Sequence, residues 1–124
     1  MSWDQIAAGI VASAGQTVIA GLDGAVWANT GVQVTPQEIL NFANAFKNPS
    51  SLYSTGAFIG GEKYMVLSVS DSVIQLKKGK GGAVIAKTNM GLVLSVAGED
   101  SNISQNQASN AVVGLADKLK EKGC

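Results

Sequence analysis

Between Ala57 and Ala97 the chain offers five short runs suited to strands, with almost no room between them. The runs are residues 57–59, 63–69, 72–77, 83–88 and 92–97. Gly60-Gly61, Ser70-Asp71, the stretch 79–82 and Met90-Gly91 punctuate them. A parallel pair needs a crossover of a dozen residues or more, so these gaps predict successive strands that fold back on each other as an antiparallel meander.

Helices frame the meander. Ser2 with Gln5 makes a capping box, and Trp3, Ile6, Ala7, Ile10 and Val11 follow at helical spacing, which predicts a helix over about 2–13. Residues 17–22 and 25–30 read as a hairpin across Asp23-Gly24. Thr35-Pro36-Gln37-Glu38 opens a second helix with a cap, a proline at its first position and an acid at its third; Asn48-Pro49 ends it. Ser104 with Gln107 opens a last helix whose apolar face is Ala108, Ala111, Val112, Leu115 and Leu119, with Gly123 placed as its stop. The order is helix, hairpin, helix, meander, helix. It predicts one α+β domain, a central antiparallel sheet with the N- and C-terminal helices on one face and a shorter helix on the other.

Composition removes several function classes. The 124 residues are 46% apolar and 15% charged, a folded composition. There is no His and no Arg, so the commonest general base, the commonest neutral metal ligand and the bidentate phosphate clamp are all missing. With one Cys, no metal-ligand spacing exists, and no cofactor or metal is expected. No nucleophile elbow is present, and Glu99-Asp100, the one adjacent acid pair, reads as a solvated turn. Lys78-Gly79-Lys80-Gly81-Gly82 lacks the order of a phosphate loop and reads as a hairpin turn. The chain is not expected to be an enzyme. Nine basic residues balance nine acids, but Lys77, Lys78, Lys80 and Lys87 fall in a stretch without acids between Asp71 and Glu99. No aromatic follows Tyr64, so this patch does not read as a nucleic-acid platform. No apolar run reaches the ~20 residues of a membrane span. The opening lacks the basic residues of a signal peptide, and Cys124 cannot form an internal disulfide, which together give a cytosolic expectation.

Two of only seven aromatics are tryptophans near the amino terminus, Trp3 and Trp27. Such a pair is either a core anchor or a platform for a ligand that is part apolar and part carbonyl. A polyproline helix is such a ligand, because indole faces and indole N–H groups meet its rings and its unpaired carbonyls.

Met1-Ser2-Trp3, Gly21-Leu22-Asp23-Gly24 leading to Trp27-Ala28, Val34-Thr35-Pro36, Ile59-Gly60-Gly61-Glu62-Lys63-Tyr64, Lys77-Lys78-Gly79 with Gly82, Lys87-Thr88, and Leu115-Ala116-Asp117 followed by Leu119 and Gly123 run the length of the chain. In order and spacing they resemble profilin, a family of small actin-monomer-binding proteins. The resemblance implies a monomer that binds monomeric actin and promotes its nucleotide exchange. It further implies binding of proline-rich segments of formins and similar proteins, and of phosphoinositide headgroups at the membrane through Lys77, Lys78, Lys80 and Lys87. It assigns the proline groove to Trp3, Ile6, Trp27, Lys118, Leu119 and Cys124. Ile6, Lys118 and Cys124 stand where the family carries aromatics or His. At about 1 kcal/mol per lost aromatic contact, the implied groove is weaker by about two orders of magnitude. The actin face falls on Val66, Ser68, Lys77, Lys78, Lys87, Asn110, Val113 and Gly114, with an affinity of micromolar order (~8 kcal/mol). The alternative from the fold alone is a ligand-sensing or scaffold domain of the PAS or roadblock type.

Overall fold

A computed structural model describes residues 3–98 and 102–123. Ser2 of the first capping box, Glu99-Asp100 and Cys124 lie outside the described residues. In chain order the elements are α1 (Trp3–Ala8), α2 (Val11–Ala14), β1 (Gln16–Gly21), β2 (Val26–Asn29), α3 (Pro36–Lys47), α4 (Ser50–Thr55), β3 (Ala57–Ile59), β4 (Glu62–Val69), β5 (Val73–Lys78), β6 (Gly81–Lys87), β7 (Gly91–Ala97) and α5 (Gln105–Glu121).

The meander forms as its short gaps require, and every strand pair is antiparallel. The β1–β2 hairpin joins it through β1 and β7, giving one seven-stranded sheet in the order β2-β1-β7-β6-β5-β4-β3. Strand alternation divides the apolar residues between two layers. Val18, Ile74, Leu76, Ile85, Leu92 and Leu94 face Ile39, Phe42, Phe46 and Leu52 of α3 and α4. Ile19, Ala28, Val84, Ala86 and Val93 face the small and aliphatic residues of α1, α2 and α5. The middle strands β6 and β7 are therefore apolar on both sides, which explains their unbroken apolar runs.

Two expectations change. The helix expected over 2–13 is two short helices, because the run breaks at Gly9 and restarts after Ile10, whose ψ of 4° departs from the helix. Glycine in a helix interior lowers propensity by about 1 kcal/mol, and a helix this short cannot absorb that. The helix α4 has no counterpart in the sequence reading. Its Ser-Ser-Leu-Tyr-Ser-Thr composition carries little propensity, and Leu52, fully buried, fixes it. The capping box of Thr35 and Glu38 is complete, whereas Ser104 forms half of one by accepting from the Gln107 N–H. Gly123 has φ of 84°, the left-handed geometry of a helix stop.

Candidate functional site

Trp27 occupies its place because β2 carries a bulge. Ile19 pairs with Ala28 and Ala20 with Val26, so Trp27 is the unpaired extra residue. A bulge re-aims the side chains around it; here Trp27 and Ala28 both reach the layer beneath the terminal helices, which simple alternation forbids. There the Trp27 ring meets Trp3 from α1, centroid to centroid at 5.0 Å and tilted by 38°. Both indoles stay half-buried. Gly21 makes the space: a Cβ there would sit 3.1 Å from the Trp27 ring and 2.6 Å from Asp23 Oδ1.

Separately from the indoles, neither of which lines it, α1 and α5 flank a cleft of about 340 Å³ lined by Gln5, Ile6, Gly9, Ile10, Leu115, Lys118, Leu119 and Lys122. Of the residues expected at a proline groove, Ile6, Lys118 and Leu119 line this cleft, and Trp3 and Ile6 share one face of α1 at i, i+3 spacing. Leu119 is buried and serves as floor; Lys118 is exposed. The sequence reading missed Ile10, Leu115 and Lys122, each three or four residues from a residue it did name.

The residues expected at an actin face separate. Val66 packs inward against the α3 layer, and Lys78 pairs with Glu62 and lies 5.8 Å from the centroid of the Tyr64 ring, on that same side. Lys87, at the end of β6, lines one cleft with Leu40, Asn41 and Asn44 of α3 and another with Asp71, Asn89 and Lys120 of α5. Ser68 and Lys77, opposite Gln75 and Met65 in register, point to the other side, the side of α5. There α5 packs over β6 and β7 and leaves β5 and β4 open beside it. Along this rim Val113 is half-buried, while Asn110 and Gly114 are exposed. The open strand surface presents Met65, 64% exposed, and Leu67, 45% exposed. Leu67 is itself the extra residue of a bulge between Val66 and Ser68. Neither was among the expected residues, although alternation in the run 63–69, with Tyr64 and Val66 inward, turns Met65 outward.

The four lysines expected at a headgroup site do not converge. Lys77 and Lys78 face opposite sides, Lys80 sits in the β5–β6 turn, and Lys87 ends β6 seven residues further on, a span of roughly 20 Å along a strand. Burial pushes the Tyr64 phenol above the usual 10.0, Lys78 pulls it back, and Glu62 adds to the rise.

A family model described as Profilin matches residues 1–124. Profilin-A of Physarum polycephalum is 34% identical over 99% of each chain. The crystal structure of Acanthamoeba castellanii profilin II superposes with a TM-score of 0.91 at 30% identity, covering 99% of this chain and all of the other. Mouse profilin IIa, solved in complex with a double repeat from the FH1 domain of mDia1, shares the fold with a TM-score of 0.78 at 19% identity over the whole of both chains. A PAS or roadblock domain does not account for matches of this length, and the chain belongs to the profilin family.

Proposed function

We propose that this protein binds monomeric actin on the open β4–β5 surface beside α5, and proline-rich segments of formin-like proteins across Trp3, Trp27 and the α1–α5 cleft. It acts as a cytoplasmic, cytoskeleton-associated monomer and promotes nucleotide exchange on its bound actin. Membership in the family supports the actin reading. The observation that carries the proline reading is the half-buried, tilted indole pair at 5.0 Å, whose Trp3 stands one turn along α1 from Ile6 of the α1–α5 cleft. Rings so placed offer flat faces to prolyl rings and N–H groups to their carbonyls. Ile6 and Lys118 offer no aromatic face, so the groove binds proline-rich peptide more weakly than one lined by rings.

Within the actin reading, the apolar centre is Met65 and Leu67, and Ser68, Lys77, Asn110, Val113 and Gly114 form its rim. Val66 and Lys78 lie on the far side and drop out of it, and Lys87, at the end of β6, stands apart from it. Apolar residues at the centre set the dissociation rate, while rim charges such as Lys77 chiefly set the association rate. Actin-monomer binding followed by fluorescence tests the placement. Leu67→Asp is expected to weaken binding at least tenfold, and Lys77→Glu to slow association at low salt. Lys87→Glu is expected to leave both unchanged; equal losses for Leu67→Asp and Lys87→Glu would move the surface elsewhere.

A further inference from the structure

The proline reading leaves one feature of the cleft unexplained, a pair of lysines on its rim. Lys118, in the last turn of α5, and Lys122, the residue that caps it, stand at i, i+4 and are joined by the Lys122 N–H bond to the Lys118 carbonyl, and both line the cleft. Like charges at this spacing repel, and no carboxylate among the described residues lies within ion-pair distance of either. The neighbouring acids do not relieve them. Asp117 and Glu121 also stand at i, i+4, on the adjacent ridge, and neither lines the cleft. Of the charges at this end of the helix, Lys118 and Lys122 line the cleft, while Asp117, Glu121 and Lys120, which lines a separate cleft with Lys87 and Asn89, do not. Beneath the lysines the lining is Ile6, Ile10, Leu115 and Leu119, suited to prolyl rings, with Gln5 as the one carboxamide.

We infer that the site selects proline-rich segments with an acidic residue beside the proline run, the carboxylate docking on the Lys118–Lys122 ridge while the prolines cross Trp3 and Trp27. The inference rests on the proline reading above and adds a choice among its ligands. Two exposed ion pairs, each modest, give about fivefold discrimination over a neutral flank at low salt. Screening removes most of it by about 0.5 M salt.

The test is a titration of intrinsic tryptophan emission with three peptides sharing one octaproline run, flanked at either end by Asp-Glu, by Gly-Ser or by Lys-Lys. The wild-type protein is expected to bind them in the order acidic, neutral, basic, with the spread shrinking as salt rises. Lys118→Glu/Lys122→Glu is expected to reverse the order. The milder Lys118→Gln/Lys122→Gln, which keeps the stems and the helix, is expected to abolish the spread, so that this variant binds the three peptides alike. Equal affinity for all three peptides, or an acidic preference that survives in both variants, overturns the inference and leaves the groove itself standing. Failure of every peptide to bind at millimolar concentration overturns the groove and the inference together.

Discussion

Single atoms decide how the indole pair sits. A methyl group at Gly21 would press on the Trp27 ring at 3.1 Å, and the near oxygen of Asp23 cannot swing away freely, because it accepts from the Ala25 N–H. Overpacking of this kind costs about 1–3 kcal/mol. Gly21→Ala is therefore expected to lower stability by about 2 kcal/mol in chemical denaturation and to shift tryptophan emission, with peptide affinity falling several-fold. Unchanged emission would mean that the ring is not held from this side. The opposite sign is expected at Ser95. Its hydroxyl is fully buried on β7 and has no hydrogen-bond partner among the described residues. An unsatisfied buried polar group costs about 1–3 kcal/mol, so Ser95→Ala is expected to raise the denaturation midpoint. A fall instead would show that the hydroxyl holds an ordered water.

At the level of elements, one carboxylate ties the second helix to the meander. Glu38, 8% exposed, accepts from Thr35 N at 3.0 Å as half of its capping box, then from Gly60 N at 2.8 Å and Gly61 N at 2.9 Å in the β3–β4 turn. Gly60 and Gly61 both have positive φ, 63° and 80°, and at Gly60 a side chain would also meet the Gln33 carbonyl. Charge-assisted bonds are about twice as strong as neutral ones, and orphaning the turn's donors adds their desolvation. Glu38→Gln is expected to cost about 2–3 kcal/mol, a fall of roughly 10 °C in Tm, with the proline cleft on the opposite layer unaffected. A change of less than about 0.5 kcal/mol would show that the turn holds its own shape. The sequence displayed both partners, Thr35-Pro36-Gln37-Glu38 and Ile59-Gly60-Gly61-Glu62, but as unrelated signals of a helix start and a turn. Caps, turns and alternation are local and could be read directly, so the hairpin, the meander, α3, α5 and both layers were legible. The bulges at Trp27 and Leu67 are properties of strand pairs, and α4 is held by the burial of Leu52; none of these has a local signature. The bulge at Leu67 also sets where the residues expected at one actin face lie, leaving Val66 on the α3 side and Ser68 beside Lys77 on the α5 side.

Across the whole molecule, α5 is shared by the two proposed surfaces. Its buried line, Ala108, Val112, Ala116 and Leu119, rests on the sheet. Val113 flanks the open strands on one side, and Lys118 overlooks α1 on the other. Five residues at about 100° each turn Lys118 roughly 140° around the helix from Val113. The intervening layer is tightly packed and contains mostly small residues, Ala7, Ala14, Ala108 and Ala116, that have few alternative rotamers through which a shift could pass. Coupling between sites needs an element with two arrangements that both ligands bias, and α5, seated on β6 and β7, offers none. The expected outcome is a ternary complex. Labelled proline-rich peptide should bind the protein with affinity unchanged within about twofold, below ~0.5 kcal/mol of coupling, whether or not actin monomer is present at saturation. Competition would mean that actin reaches over the helix to the Lys118–Lys122 ridge. In that case Lys118→Gln/Lys122→Gln, which spares Met65, Leu67 and Lys77, should weaken actin binding as well, whereas independence predicts that it leaves actin binding alone.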